Sequence, residues 1–340
     1  MGVNISSLLP IKEIKFEDLK NKVVGVDFFN VAYQFLSSIR GYDGTPLHDS
    51  HGQVTSHLQG ILARSLNLMS KGIKLVYVVD GESPELKHME VEERNARKNE
   101  AEAKYKEAKD KENLDEMYKY SKQFLRFEDN MIEESKELIE ALGIPVVQAP
   151  SEAEGQIAYM NRNGDVWGCG SQDADSLLFG APRLIRNLTL SQKRTVRGKT
   201  VYTFLELIEL NEVLEKLQIN HDQLIVLGVM IGTDFNKKGV PGVGPKKALK
   251  LIKDYKNEDE FDRLFNELKV EFDWREVYKI FKNLPVEEDY SLRWKSIDED
   301  KVREILVDRH DFNWERVKSL INKHEEENKL NKQKGLGDFF

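Results

Sequence analysis

Short apolar runs alternate with amphipathic segments through the first half of the chain. The apolar runs have the length of strands and cover Lys22–Val26, Lys74–Val79, Ile144–Val147 and Val166–Gly170. Between them, apolar residues recur at helical spacing over Phe28–Ile39, Val54–Lys71, Met131–Leu142 and Glu152–Asn161. Strands that alternate with helices are typical of a mostly parallel sheet built from βαβ units. The pattern predicts an α/β fold in which helices flank a twisted central sheet.

One long segment departs from this alternation. Residues 92–120 favour helix by composition but are polar almost all round. A helix of this kind has little apolar surface to bury. It is therefore either only marginally stable or a helix that crosses solvent between other parts of the protein. Because the segment follows Asp80 at the end of a predicted strand, we expect an insertion that projects from the sheet. We expect it to be mobile without ligand and to become ordered on substrate.

The second half of the chain is predicted to be mainly helical from Phe204 to about Lys329. The tail, Leu330–Phe340, carries lysines and glycines, ends in two phenylalanines and predicts a flexible arm. Leu336, Phe339 and Phe340 would fall on one side of a tight turn. An apolar trio on a polar arm suits the pocket of a partner protein, although a tail that folds back on its own domain is the alternative.

Length and cysteine content narrow the class of protein. A chain of 340 residues is long enough for one large domain or two smaller ones. Cys169 is the single cysteine, so no intrachain disulfide and no cysteine-based zinc site can form. The first residues show no signal peptide, and we find no membrane span. We therefore expect an intracellular protein without membrane contact.

Charge is unevenly distributed along the chain. With 51 Lys and Arg against 59 Asp and Glu, the net charge is −8, which taken alone argues against nucleic acid. However, residues 181–200 hold six basic residues and no acid, and residues 237–256 hold seven lysines and one acid. A single basic run is usually a solvated face. Two runs in a chain that also carries an acidic cluster favour phosphate binding.

Acidic residues stand where several predicted strands end or helices begin. The set is Asp27, Asp80, Glu152, Glu154, Asp173, Asp175 and Asp234. In an open α/β sheet, ligands bind in the crevice beyond the carboxyl ends of the strands. Carboxylates gathered there would repel one another unless cations held them, and oxygen ligands suit Mg²⁺ or Mn²⁺. The candidate chemistry is phosphodiester hydrolysis with two metal ions.

Each acid also has a plain structural explanation. Ser151 and Glu154 have the spacing of a capping box at a helix start. Asp173 and Asp175 could cap a loop, although alternation after a strand would point both side chains the same way. Acids at strand ends are common. Each signal is weak alone, and their combination favours the metal site.

A glycine-rich run, Gly239–Ala248, has the pattern of a helix–hairpin–helix motif. Gly242 and Gly244 would let backbone N–H groups approach a phosphate at the start of a helix, beside Lys246 and Lys247. Because such a motif contacts only the backbone of the nucleic acid, it should bind duplex DNA without sequence preference. The alternative is a simple glycine turn between helices.

Two further pairs of residues have candidate roles. Lys87 and Arg94 are seven residues apart, which places them two helical turns apart on one face, where they could polarise a phosphate. Tyr33 and Arg40 lie on the helix predicted after Asp27, and an aromatic ring there could stack on a base. The alternatives are solvated charges for the cations and a core position for the tyrosine.

With these motifs, the chain resembles the XPG-like structure-specific 5′ nucleases, and among them the archaeal flap endonucleases. The matching stretches are 1–3, 33–36, 43–47, 55–58, 76–81, 148–154, 171–180, 186–189, 232–234 and 239–248. The resemblance covers nearly all of residues 1–325. It implies a PIN-like 5′-nuclease fold and a protein from inside an archaeal cell. It further implies one nuclease domain, 1–329, with a helical arch at 81–130 and a DNA-binding region at 218–275.

The resemblance also implies roles for individual residues. The seven acids would hold two Mg²⁺ ions, for which Mn²⁺ could substitute, and Lys87 and Arg94 would be catalytic cations on the arch. Tyr33 would stack the base next to the cut, and Arg40 would help to open the junction. Thr55 would lie near a pocket for a one-nucleotide 3′ flap. The glycine-rich hairpin of such enzymes usually holds a K⁺ ion as well.

The tail, 330–340, matches a box that binds the PCNA sliding clamp, through Gln333, Leu336, Phe339 and Phe340. The implied activity is Mg²⁺-dependent cleavage of 5′ flaps on double-flap DNA, with 5′–3′ exonuclease activity, in Okazaki fragment maturation and base excision repair. The enzyme would be monomeric away from the clamp. Alternatives are another 5′ exonuclease or junction resolvase, a cleavage-inactive DNA-binding adaptor for the clamp, and a PIN-like RNase, against which the hairpin motif argues.

Overall fold

A mixed sheet forms the centre of the molecule, and helices cover both of its faces. The computed structural model describes residues 3–41, 44–110, 116, 120, 126–190, 192–196 and 199–337. None of the helices in these ranges combines the length and the apolar character that a membrane crossing requires. The predicted α/β class is confirmed.

The described strands form one large sheet and one separate hairpin. They are β1 (Lys12–Ile14), β2 (Val23–Asp27), β3 (Lys74–Val79), β4 (Val146–Gln148), β5 (Gly168–Gly170), β6 (Arg183–Arg186), β7 (Lys193–Val196), β8 (Lys199–Tyr202) and β9 (Leu205–Glu209). The large sheet has the order β1-β9-β6-β5-β2-β3-β4, and β7 pairs with β8. Strands β6, β5, β2, β3 and β4 are parallel, whereas β9 is antiparallel to its neighbours β6 and β1.

Strand β2 lies at the point where the strand order reverses. From β2 the chain builds outward through β3 and β4 on one side and through β5 and β6 on the other. A crevice opens at such a point beyond the carboxyl ends of the strands, and ligands bind there in open α/β sheets. The ends of β2, β3 and β5 therefore mark the expected location of a functional site.

Helices connect the strands and continue to the end of the described chain. They are α1 (Phe28–Ser38), α2 (Ser56–Ser70), α3 (Glu85–Asp110), α4 (Asp129–Ala141), α5 (Ala153–Asn163), α6 (Asp175–Leu178), α7 (Leu210–Leu217), α8 (His221–Ile231), α9 (Pro245–Ile252), α10 (Glu258–Leu268), α11 (Trp274–Asn283), α12 (Glu299–Arg303) and α13 (Trp314–Gly337). A 3₁₀ turn (Phe16–Leu19) precedes β2, and a π turn (Glu304–Asp308) follows α12 directly.

The two faces of the sheet carry separate apolar cores. Along β3, Leu75 and Tyr77 point into the core that α1, α2 and α4 cover, while Val76 and Val78 point into the core beneath α5 and α8. This alternation follows from the two-residue period of a strand. The Tyr77 hydroxyl is fully buried and bonds to Ser65 Oγ at 2.9 Å, so its polar group is satisfied.

The prediction that the chain is mainly helical from Phe204 is wrong at its start. Leu205–Glu209 forms β9, which pairs with both β1 and β6 inside the sheet. Leucine and glutamate favour helix intrinsically, and the adjacent apolar residues Leu207 and Ile208 break the alternation that would indicate a strand. Pairing on both sides outweighs local propensity here. Strands β1, β6, β7 and β8 were not predicted either, and each is only three or four residues long.

Two helices extend beyond their predicted limits. Helix α3 begins at Glu85, seven residues before the expected start at Glu92. Helix α13 continues to Gly337, where the sequence predicted a flexible arm from Leu330. The lysines, glutamates and asparagines before Leu330 impose no stop signal, so the helical ladder can continue along the polar segment.

Candidate metal centre and DNA-binding surface

Strands β2 and β5 end next to each other and bring Asp27 and Asp173 together. Asp27 is 8% exposed and caps α1, since its side chain accepts a hydrogen bond from Asn30 N at 3.0 Å. The amide of the same Asn30 donates to Asp173 Oδ2 at 3.1 Å. Asn30 thereby holds the two carboxylates at a fixed separation, a role that the sequence did not reveal.

Strand β3 delivers Asp80 to the start of α5. Asp80 Oδ1 accepts a hydrogen bond from Ala153 N at 2.6 Å, so this carboxylate satisfies one of the free N–H groups at the helix end. Glu152 is the N-cap residue of α5, but its side chain makes no capping bond. It contacts Lys87 of α3 instead, with Lys87 Nζ 2.5 Å from Glu152 Oε2.

The capping-box interpretation of Glu154 is wrong. The N-cap of α5 is Glu152 rather than Ser151. Glu154 Oε1 accepts a hydrogen bond from Ser171 Oγ at 2.6 Å, and Ser171 Oγ also accepts from Asp173 N at 3.1 Å. The helix start thus directs Glu154 toward the loop after β5. Ser171 precedes the predicted D-x-D by two residues and was not recognised as part of the site.

Asp175 is held from the other side by the first described residue of the chain. It begins α6 rather than continuing a strand, so strand alternation does not set its direction. Val3 N donates to Asp175 Oδ1 at 2.6 Å, and Asp175 is only 6% exposed. The N-terminal segment is therefore anchored at the acidic site.

Asp234 approaches the site on the loop that follows α8. Glycine is required on this loop at Gly232 and Gly239, where φ is +109° and +50° and an added Cβ would lie within 2.7 Å of backbone atoms. Asn236 locks the turn, because its amide donates to Val229 O at 2.7 Å while its Oδ1 accepts from Thr233 N at 3.1 Å. The tight turn fixes the position of Asp234.

The electrostatics show that these carboxylates share one environment. Burial raises the pKa of Asp27 to about 8, and repulsion from Asp80 adds to the shift. Burial raises the pKa of Asp175 to about 7, with repulsion from Asp234 as a further cause. Burial, followed by repulsion from neighbouring aspartates, raises the pKa of Glu154 well above its ordinary value. Desolvation and like charge both disfavour ionisation here, so a cation is the natural complement of the cluster.

The carboxylate oxygens suit a hard metal ion, but the side chains are not yet arranged to coordinate one. Among the described residues, no three His, Cys, Asp or Glu side chains are placed so that they could hold one ion as they stand. Six of the carboxylates accept hydrogen bonds from protein donors. These are Asp27 and Asp173 from Asn30, Asp80 from Ala153 N, Glu152 from Lys87, Glu154 from Ser171 and Asp175 from Val3 N. The oxygen chemistry fits Mg²⁺ or Mn²⁺, and some of these carboxylates must rotate to bind.

Helix α3 passes over this cluster and places Lys87 against it. The side chains of Lys87 and Glu152 are 13% and 12% exposed. Burial alone would lower the pKa of Lys87, but the charges of Glu152, Asp80 and Asp234 raise it. Lys87 therefore stays cationic above the acids. Arg94 belongs to α3, and only its backbone is part of the described structure.

Tyr33 is not a core residue. It is half-buried at the edge of an aromatic group, with ring centroids 6.4 Å from Phe29 and 6.0 Å from Phe127. Lys98 of α3 lies over the Tyr33 ring, with its Nζ 5.0 Å from the centroid. One face of the ring is thus directed toward the space beneath α3, where a base could stack.

Arg40 and Thr55 flank a loop beside α2. Arg40 lies beyond the end of α1 rather than on it, and its guanidinium donates to Ser37 O at 3.0 Å and Gly44 O at 2.6 Å. Thr55 is 4% exposed and lines a cavity of about 840 Å³ between this loop and the start of α13. Thr55 therefore lies at the cavity, while Arg40 stabilises the loop that leads to it.

The glycine-rich run follows α8 and ends in the first turn of α9, as a helix–hairpin–helix motif requires. Gly242 has a φ of +73°, and nothing lies within 4 Å of an added Cβ at Gly242 or Gly244. Lys246 and Lys247 are exposed in the first turn of α9, where backbone N–H groups lack helical partners. This open, positively polarised surface is suited to phosphate.

Comparison with known proteins identifies the family. The model of the XPG N-terminal domain matches residues 3–101, and that of the XPG I-region matches residues 143–234. Flap endonuclease 1 of Aeropyrum pernix is 49% identical over 329 residues, which cover 94% of this chain and 93% of that protein. The chain belongs to the flap endonuclease family.

Solved structures agree with this assignment. Flap endonuclease-1 from Methanococcus jannaschii matches with a TM-score of 0.76 and 39% identity, covering 96% of this chain and 98% of that one. The catalytic core of Rad2 in complex with DNA substrate matches with a TM-score of 0.67 and 22% identity, covering 92% and 96%, and shares the fold. The expected PIN-like nuclease fold is confirmed, and dependence on divalent metal is typical of the flap endonuclease family.

Part of the predicted basic surface is engaged within the fold. Arg183 lies 3.5 Å from Glu209 and Arg186 lies 3.6 Å from Glu206, across the pairing of β6 with β9. The acids that pair with Arg183 and Arg186 lie twenty or more residues later in the chain. For this reason residues 181–200 looked like a run of unpaired positive charge in the sequence. In this flap endonuclease, the lysines of α9 are the more exposed candidates for DNA contact.

The clamp-binding box remains a prediction. The backbones of Gln333 and Leu336 belong to α13, and their side chains fall outside the described part. Phe339 and Phe340 lie outside the described residues altogether.

Proposed function

We propose that this chain is a metal-dependent 5′ flap endonuclease that cuts near the junction of single- and double-stranded DNA. The observation that carries the proposal is the convergence of seven carboxylates at one crevice, next to Lys87 of α3 and an open helix–hairpin–helix. Full-length relatives named flap endonuclease 1 support the same activity. Okazaki fragment maturation and base excision repair are the processes that such an activity serves, with 5′–3′ exonuclease action alongside.

The seven acids, Asp27, Asp80, Glu152, Glu154, Asp173, Asp175 and Asp234, are the proposed ligands of two Mg²⁺ ions, with Mn²⁺ as a substitute. When bound, the ions would supply an activated water and stabilise the leaving oxygen. The protein itself orients the reacting strand. Lys87 is proposed to hold the scissile phosphate, and its hydrogen bond to Glu152 in the cluster supports this role. Arg94, seven residues on, is proposed to act with it.

Substrate selection would come from surfaces on either side of the crevice. The α9 start, with Lys246 and Lys247, would hold duplex DNA through its phosphates, and a K⁺ ion at the hairpin carbonyls would reinforce this contact. Lys247 Nζ donates a hydrogen bond to Gly242 O at 3.3 Å, so this hairpin carbonyl is directed toward positive charge, which supports the proposal. Tyr33 would stack the base next to the cut.

The other end of the junction would lie near α2. The cavity that Thr55 lines is large enough for a nucleotide, and we propose that it receives a one-nucleotide 3′ flap. The Arg40 guanidinium bonds to Ser37 O and Gly44 O and so makes this loop rigid. We propose that the duplex opens against the loop. Double-flap DNA is therefore the proposed preferred substrate.

The tail is proposed to dock the enzyme on the PCNA clamp. Gln333, Leu336, Phe339 and Phe340 supply the pattern of the box, and the enzyme would be monomeric when it is not bound to the clamp. Deleting residues 333–340 should abolish capture by immobilised PCNA and leave cleavage of free flap DNA intact. Loss of cleavage, or retained capture, would contradict this assignment.

A substrate panel tests the proposed activity. The panel contains a double-flap duplex, a single 5′ flap, a gapped duplex, a four-way junction and a single-stranded RNA, each with Mg²⁺ or EDTA. We expect Mg²⁺-dependent cutting that is fastest on the double flap. Preference for the gapped duplex would indicate a 5′ exonuclease, and preference for the junction would indicate a resolvase. Binding without any cutting would indicate a clamp-bound adaptor.

A further inference from the structure

Helix α3 makes cation contacts with the crevice at successive points along its length. Lys87 and Lys98 are eleven residues apart, close to three full turns, and so lie on the same face of the helix. Lys87 bonds to Glu152, and Lys98 lies over the Tyr33 ring. Residues of the helix are mostly exposed and polar, so apolar burial contributes little to holding it there.

A third contact joins α3 to the loop that carries Asp234. Glu93 Oε2 lies 3.6 Å from Lys237 Nζ, with side chains 60% and 38% exposed. Lys237 follows Asp234 by three residues on the same loop. Both partners are accessible to solvent, and a competing anion can reach Lys237.

These contacts reproduce the chemistry expected of a bound substrate. The Glu93 carboxylate makes the kind of contact with Lys237 that a phosphate oxygen would make, and the Lys98 ammonium covers one face of the Tyr33 ring, which a base would otherwise be able to stack on. We propose that Lys237 is a phosphate-binding residue for the incoming strand, and that Glu93 of α3 occupies it until DNA displaces the carboxylate. The inference rests on the proposed function and assigns two residues to the control of DNA entry.

The expected effects follow from the exposure of the pair. Solvent-exposed ion pairs contribute about 0.2–1 kcal/mol, so removing the carboxylate that competes with phosphate at Lys237 should tighten binding of flap DNA by roughly 1.4- to fivefold in Glu93→Gln. Lys237→Gln should weaken binding and lower the salt dependence of log Kd by about one unit. In the double variant, Glu93→Gln should add no tightening, because the ammonium group for which Glu93 and phosphate compete is absent.

Neighbouring residues supply matched controls. Glu92→Gln removes the same charge from the adjacent exposed position, and Lys238→Gln does the same next to Lys237. Glu93 also lies 3.6 Å from Arg97 on the helix, so Glu100→Gln, which breaks the comparable pair of Glu100 with Lys104, controls for helix stability. The three controls together isolate the contact between Glu93 and Lys237.

The deciding experiment measures Kd for a 5′-flap duplex in Ca²⁺, across a salt series, for the wild type, both single variants, the double variant and the controls. Amide exchange of residues 88–104 is followed in the DNA-free protein in parallel. We expect tighter binding in Glu93→Gln than in Glu92→Gln, faster exchange in Glu93→Gln, and coupling to Lys237. Equal affinities for Glu93→Gln and Glu92→Gln, or an effect that persists in the double variant, would overturn the inference. A wild type that does not bind flap DNA would instead refute the proposed function, and the exchange data do not depend on activity.

Discussion

Replacing Asp27 by asparagine should stabilise the metal-free protein at neutral pH while it removes a proposed metal ligand. Asparagine caps a helix as well as aspartate does, so the bond from Asn30 N to the capping side chain can be kept. The substitution therefore changes charge with little change in local geometry. The variant therefore measures the free energy of folding that is lost to burial and charge repulsion at Asp27, while the helix cap is retained.

The size of the effect follows from the shifted pKa of Asp27. Burial and repulsion raise that pKa from 3.8 to about 8, so at pH 7 the folded protein holds a proton that the unfolded chain has released. One pKa unit is worth about 1.4 kcal/mol, so the cost at pH 7 reaches at most about 4 kcal/mol. With an unfolding entropy of about 2.1 cal/mol/K per residue, this corresponds to a rise in Tm of up to roughly 6 °C. Because the folded pKa is raised, the stability linked to the proton is complete below pH about 4 and is lost as the pH rises toward 8.

Thermal unfolding in EDTA at pH 7 and at pH 3.5 measures this difference. Asp27→Asn should be more stable than the wild type at pH 7 and equal to it at pH 3.5, and Mg²⁺ should stabilise the wild type more than the variant. Asp308→Asn, at an exposed position, should show no such pH dependence. A variant that is less stable at pH 7, or a difference independent of pH, would refute the reasoning.

Three further outcomes are expected. Asp173→Ala should abolish cleavage of flap DNA and leave Kd for the same DNA nearly unchanged, and retained turnover would remove this residue from the proposed metal site. Lys246→Gln should lower the salt dependence of duplex binding by about one unit in log Kd against log salt, as measured by fluorescence anisotropy. Gly143→Ala should destabilise the fold by about 2 kcal/mol or more, since φ is +77° and an added Cβ would lie 2.1 Å from Lys295 O. Gly164→Ala shares the positive φ but meets no atom within 4 Å, so chemical denaturation should show a smaller loss.

The central sheet was predictable where its strands are apolar and long. β2 and β3 are buried on both faces and read as continuous apolar runs, which is typical of parallel strands. β9 was not predictable in this way, because Leu205–Glu209 contains strong helix formers and depends on partners on both sides. Short strands such as β1 carry too few residues to show a period.

The acidic site was predictable as a set and not in its details. Strand ends and a helix start identified Asp27, Asp80 and Glu152, since chain topology alone brings such positions to one crevice. The contacts of Asn30 with Asp173 and of Ser171 with Glu154 join segments 143 and 17 residues apart, and no local pattern encodes them. The same holds for Glu93 and Lys237, whose pairing depends on how α3 crosses the crevice.

Anomalous scattering from Mn²⁺ in crystals of the enzyme with flap DNA tests the central claim most directly. The account predicts two Mn²⁺ peaks about 4 Å apart in the crevice between β2, β3 and β5, each coordinated by oxygens of the seven acids. A crevice without Mn²⁺ peaks in such crystals, or peaks coordinated by other residues, would contradict it.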